Sequence, residues 1–361
     1  LQGQGKLAEA RKIKSEIERL KGGSKSAESN VAAKEHRLRQ RLQQQNEATA
    51  SRLDALKDLA SLVQAQGNYA QAEALYQEAI ALYQQLEHDR PELEIELRIN
   101  HWFAVSSQKR YENACTLAEQ TLSRAQKILP EKHGCLAIAA SNLAGANSNF
   151  GWKLATQTGA SQQDGQRAVT LLRQSVEIEP QKADYWSNLG VAYNLASKFE
   201  DAVAAFEESD QLRKQPDWQH RLFYSQALKG LGRHDDAVRR YCEGWLWVLG
   251  NRGSSSQYQR FLRETESQLG LDPETRDGAL GDYVSQTRLD KSWQWKAAGI
   301  WLKDRGEYES AAAEFTRLIK SSEPDQDIFV HSHRGLCYLE LGQYDAAIAD
   351  FSRVLEERHD D

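Results

Sequence analysis

One motif of small and aromatic residues recurs along the chain, and that recurrence constrains the fold more than any other feature. Its clearest copy is WSNLGVAYNLASKFEDAVAAFEES, residues 186–209, where Gly190, Ala192, Ala196, Ala202, Ala204 and Ala205 stand where a helix normally carries bulk. The marks are Trp186, Leu189, Gly190 and Tyr193, then Ala202 and Phe206. They return as Trp295, Gly299, Gly306, Tyr308, Ala311 and Phe315, and again as Gly335, Tyr338, Gly342, Tyr344, Ala347 and Phe351. An early copy reads Leu59, Ala60, Gly67, Tyr69, Ala72 and Tyr76, and weaker ones use Trp102, Tyr111 and Ala114, and Gly232, Ala237 and Tyr241. A period of roughly 35–42 residues is that of a supersecondary unit unable to bury its apolar face alone, so the units must stack. With only 6 prolines in 361 residues and few β-branched runs, the composition favours helix, and the chain reads as all-α.

The pattern W-x2-L-G-x2-Y followed by A-x3-F resembles the tetratricopeptide repeat. That resemblance implies a right-handed α-solenoid of helix hairpins, with first helices lining a concave surface that takes up peptides. Seven recognisable units start at Leu53, Ile95, Ala137, Ala183, Trp218, Ser292 and Ile328. The first spacings are longer than the usual repeat and similar to the kinesin-light-chain type. A degenerate unit is expected between the fifth and sixth, with Tyr258 and Phe261 on its first helix and Ala279 and Tyr283 on its second. The plan is a basic N-terminal helix and flexible break at 1–30, a leading helix at 31–52, and units one to five over 53–250. A degenerate unit or connector at 251–291 and two C-terminal units at 292–361 complete it. Small residues at the seam let paired helices approach closely while Tyr193 and Phe206 fill the space between them.

Residues 1–52 carry 12 Lys/Arg against 6 Glu, so this segment is positive while the whole chain is at −6. Residues 6–21 read as a charged amphipathic helix with Leu7, Ile13, Ile17 and Leu20 on one side. A second helix begins near Val31 and is expected to run into the first repeat, carrying Arg37, Arg39 and Arg41 as a docking face for an acidic partner. No apolar run reaches the roughly 20 residues needed to span a bilayer, and the expectation is a cytoplasmic protein. The chain starts at Leu1 and holds no methionine, so its first residue is expected not to be a natural start.

Chemistry-bearing patterns are sparse. LKGGSKS, residues 20–26, departs from a phosphate-binding loop because Ser24 precedes Lys25 where glycine is needed. Cys115, Cys135, Cys242 and Cys337 form no Cys-x-x-Cys pair and read as free thiols. On a helix His333 and Cys337 share a face but His331 does not, and two ligands do not make a metal site. No nucleophile–base arrangement stands out, so the chain is expected to be no enzyme, with no cofactor and no small-molecule substrate. Trp186 and Trp295 occupy repeat core positions, whereas Trp245 and Trp247 are read as covering the joint before the degenerate unit.

The sixth position of units two to four holds Asn100, Asn142 and Asn188. Helix propensity does not favour asparagine, and its amide pairs with both the N–H and the C=O of an extended backbone. The resemblance places this position on the concave surface, with Phe103, Ser141, Asn149, Ser187 and Asn194 at other groove-facing positions. Lys and Arg, which a carboxylate clamp would need, are missing from the corresponding positions of units two to four. The expectation is a scaffold or adaptor binding an extended partner segment. The alternatives are a regulatory module of a larger kinase or protease, and an RNA- or membrane-surface adaptor working through the basic N-terminal helices.

Overall fold

The structure, a computed structural model, describes residues 31–44, 49–86, 90–213, 218–250, 256–287, 289, 291–321 and 329–359. The helix expected at 6–21 and the break that follows lie outside these residues. Every regular element among the described residues is a helix, and the chain forms an α-solenoid of helix hairpins divided into two compact units, Leu1–Phe150 and Gly151–Asp361.

The first unit contains α1 (31–44), α2 (Ala50–Ala65), α3 (Tyr69–Gln85), α4 (Pro91–Ser107), α5 (Tyr111–Ile128) and the N-terminal part of α6 (Gly134–Thr156). The leading helix does not run into the first repeat as expected. Thr49 is extended, with φ −135° and ψ 153°, and its hydroxyl accepts from the Arg52 N–H at 3.2 Å, so α2 starts afresh behind an N-cap. Separate from α2, α1 lays Leu38 and Leu42 over the cluster of Leu53, Leu56 and Leu59 and turns polar residues outward, covering the end of the hairpin. Between α2 and α3, Tyr76 is fully buried and its hydroxyl meets Ser61 at 3.1 Å. The start of α6 is seated by Cys135 and Leu136 against the cluster of Ile95, Ala125 and Leu129. Buried Glu94 lies between Arg98 at 2.8 Å and Arg124 at 2.9 Å. Burial pushes its carboxyl up, and the two guanidiniums outweigh that and hold it below the ordinary carboxylate value.

The second unit continues with α7 (Gln162–Ile178), α8 (Ala183–Leu195), α9 (Phe199–Leu212), α10 (Trp218–Gly230), α11 (His234–Gly250), α12 (Ser256–Leu269), α13 (Pro273–Gln286), α14 (Ser292–Asp304), α15 (Tyr308–Lys320), α16 (Phe329–Glu340) and α17 (Tyr344–His359). Here the small residues have a specific recipient. A Cβ on Gly190 would stand 2.6 Å from the Phe206 ring, one on Gly299 2.6 Å from Phe315, and one on Gly335 2.8 Å from Phe351. Each of these three first-helix glycines thus receives the aromatic ring of the second helix in its own hairpin. Phe206 and Phe315 are fully buried as a result, each burial contributing roughly 1.5–3 kcal/mol.

The hairpin turns share a left-handed residue before the second helix. Glycine fills it at Gly67, with φ 80°, whereas Lys109 and Ser197 adopt φ 58° without that freedom.

Among the described residues the stacking departs from chain order after α11. α11 packs directly on α14, while α12 and α13 each pack on α11, and α12 also lies against α10. The segment expected as a degenerate unit or connector therefore forms two helices, α12 and α13, that both pack on α11 and do not separate it from α14. Trp245 covers this joint, with the Arg276 guanidinium of α13 5.9 Å from its ring. Trp186 and Trp295 are only partly buried, and both donate their indole N–H to the loop before their own helix, to Pro180 O at 2.8 Å and Leu289 O at 3.1 Å.

Candidate functional site: the first-helix faces

In the first unit, Asn100 and Phe103 are one turn apart on α4 and share a face. Asn100 is half-buried and Phe103 is 45% exposed, its ring meeting only the edge of Tyr69 at 6.3 Å among described aromatic pairs. On α6, Asn142 and Asn149 are two turns apart on a common face, Asn142 half-buried and Asn149 exposed, with Ser141 half-buried beside them. Asn147, between these turns, is fully buried. This face is polar apart from Phe103 on α4 and Ile138, 50% exposed one turn before Asn142 on α6.

In the second unit, Asn188 is half-buried on α8, but its neighbours serve the fold. Ser187, expected to face a groove, is buried, and its hydroxyl lies 3.2 Å from His220 Nδ1 on α10. Asn194 donates its amide to Phe223 O at 2.6 Å, tying α8 to α10. The chain itself covers the adjoining surface of α10. Phe261 of α12 meets Phe223 edge-on at 5.1 Å, Thr265 Oγ1 accepts from Gln226 at 3.0 Å, and Arg260 donates to Thr156 O at the end of α6 at 3.1 Å. A cleft of about 460 Å³ remains, bordered by Asn194, Phe223, Gln226, Lys229 and Gln268.

The fold assembles a row that sequence reading missed. His220 Nε2 lies 3.0 Å from Asp210, so Ser187, His220 and Asp210 follow one another in the order of a hydrolase relay. His220 has no exposed surface and is packed edge-on against Phe206 at 5.0 Å and Tyr224 at 5.9 Å, so no substrate reaches the serine. Burial pushes the imidazole pKa down, against the pull of Asp210. Burial also pushes Asp210 up, but His220 and Arg221, the latter at 2.6 Å, outweigh it and hold it at about 2. The row ties α8, α9 and α10 together.

The basic face of α1 is partly engaged within the chain. Arg39 donates to Glu35 at 2.7 Å and Arg41 donates to Ser51, while Arg37 is exposed. His333 stacks on Phe315 with centroids 5.7 Å apart, and Cys337 is buried with its thiol pushed up to about 11 by that burial. His331 turns instead to Asp350 at 3.0 Å, so these three side chains do not converge. Among the described residues no group of three His, Cys, Asp or Glu side chains is placed to hold a metal ion, and no helix is long and apolar enough to cross a membrane.

Residues 52–87, 160–216 and 328–361 each match family models of the tetratricopeptide repeat, so the hairpins α2–α3, α8–α9 and α16–α17 lie within repeats of that family. No curated protein matches the chain. Among solved structures, a tetratricopeptide repeat protein from Parabacteroides merdae aligns at 12% identity and TM-score 0.44, over 79% of this chain and 98% of its own. MamA from Desulfovibrio magneticus RS-1 aligns at 13% identity and TM-score 0.41, covering 56% of this chain and 97% of its own. A putative kinesin light chain with TPR-like repeats from Podosopora anserina aligns at 18% identity and TM-score 0.36, covering 62% and 98%.

Proposed function

We propose that this tetratricopeptide-repeat chain is a non-enzymatic scaffold that binds an extended segment of a partner protein on its first-helix faces. Tetratricopeptide repeats support a role in protein interaction generally, and the finer reading is carried by one observation: Asn100 and Asn142 stand half-exposed at the same repeat position on α4 and α6. Each amide offers a donor and an acceptor to a peptide unit, so recognition is of backbone first. Phe103, exposed one turn from Asn100, and Ser141 and Asn149 along α6 supply side-chain selectivity. Asn188 on α8 repeats the position in the second unit.

An array of extended peptides probed with the intact chain and with a combined Asn100→Ala, Asn142→Ala and Asn188→Ala variant tests this. Signals should fall at least tenfold while the melting curve stays within a few degrees, since each amide contributes a hydrogen bond of about 1 kcal/mol. Undiminished signals from a folded variant would refute the reading.

A further inference from the structure

In the second unit, second helices are covered by the first helix stacked on them, α9 by α10, α11 by α14 and α15 by α16. Among the described residues the last helix, α17, has no such cover. Tyr308, Ala312 and Ile319 of α15 are half-buried or buried, whereas Tyr344, Ile348 and Leu355 at the same repeat positions of α17 are 63%, 62% and 59% exposed. Spaced four and seven residues apart, these three share one face. On α16, Leu336 and Leu339 are exposed one turn apart, and Leu339 stands at the repeat position from which Asn194 reaches Phe223 O on the following first helix. Five of the seven large apolar side chains exposed among the described residues thus belong to this one hairpin, which makes them a patch rather than the scattered exposure ordinary on a protein surface.

Continuity with the stack calls for a helix with an apolar stripe on this surface, and charge narrows its chemistry. Residues 329–361 carry seven Asp/Glu against three Arg, with Glu340 and Asp345 exposed on either side of the hairpin turn. Such a surface repels nucleic acid, anionic lipid and a second copy of itself, and attracts a basic helix. The chain holds a segment of that description. Read as a helix, residues 6–21 carry six Lys/Arg against three Glu, place Ile13, Ile17 and Leu20 on one side, and set Lys14 and Lys21 beside that stripe.

We propose that the exposed face of the α16–α17 hairpin receives residues 6–21 of a second copy of the chain, which lies across it as a further first helix would. This contact is separate from the asparagine-bearing faces and goes beyond the function proposed for them. Sedimentation of the full chain from micromolar to near-millimolar concentration tests it. Mean mass should rise without a plateau, because a head-to-tail contact that does not close adds copies in an open series. Ile348→Glu, at an exposed side chain where the fold is not at stake, should weaken association at least tenfold with the circular-dichroism melt retained. Ile17→Glu should do the same. Mixed together, the two variants should associate one to one, since each keeps the half that the other has lost. Raising salt from about 0.1 to about 0.5 M should weaken association severalfold. A chain that stays monomeric throughout, association unchanged in either variant, or mixed variants that stay apart would each overturn the proposal. A mass that levels off at a dimer, with Ile17→Glu pairing as well as the intact chain, would show hairpin meeting hairpin and overturn it too.

Discussion

The repeat position that holds Asn100 on α4 holds Phe223 on α10, and the two faces differ accordingly. Around Asn100 the surface is polar, and Phe103 stands 45% exposed. Phe223 is 7% exposed, held edge-on between Trp152 at 5.9 Å and Phe261 at 5.1 Å, because α12 folds back over it. The interior of three hairpins in the second unit follows one rule, glycine against phenylalanine. What differs is the surface beyond it. At this position one face carries a half-exposed amide and the other a ring that packs on a helix of the same chain.

That contrast is open to test. The largest effect should come from Phe261→Ala, which empties a site 2% exposed and should cost about 3–5 kcal/mol in urea denaturation; Phe103→Ala should cost under about 1 kcal/mol. Similar costs would mean that α12 does not cover α10 as described. Next, Gly190→Ala forces a methyl to within 2.6 Å of a buried ring and should lower stability by roughly 1–3 kcal/mol. Gly278→Ala on α13, with nothing within 4 Å of the added methyl, should instead stabilise slightly. This pair separates stacked helices from the connector.

Acid acts through Asp210. Its pKa is depressed from 3.8 to about 2, so its contribution is complete above the ordinary carboxylate range and is lost as pH falls from about 4 towards 2. After allowance for its 25% exposed side chain, roughly 1–2 kcal/mol should disappear over that window, and Asp210→Asn should flatten the pH slope there. The smallest effects belong to Lys109→Gly and Ser197→Gly, one in each unit. Each relieves a left-handed backbone and should raise stability by about 0.5–1 kcal/mol, read as a small rise in Tm.

Hairpins were legible because their determinants are local. Gly306 before Tyr308, or Gly299 ahead of Phe315, reports a turn or a close approach over a few helical turns of chain. Lys109-Arg110-Tyr111 and Ser197-Lys198-Phe199 keep the same turn without its glycine, so only alignment to the other copies marks them. The return of α12 onto α10 was not legible. Phe261 fits a repeat helix equally well whether that helix stacks in order or turns back, and the choice rests on contacts with Phe223 and Thr156, far away in sequence. The burial of Ser187 escaped for the same reason: its partner His220 lies one repeat further on. Asn100 and Asn142 were readable as an unusual choice of residue, since nothing in helix formation asks for asparagine there.

The direct seating of α14 on α11 separates adjacency in space from adjacency along the polypeptide. Cooperativity in such an array passes through side-chain contact rather than through peptide bonds. A proteolytic nick between α11 and α12 would therefore leave the last two repeats still thermodynamically coupled to those before them. The coupling would not run through the peptide bonds of the forty or so residues in between, even though Phe261 among them packs on α10.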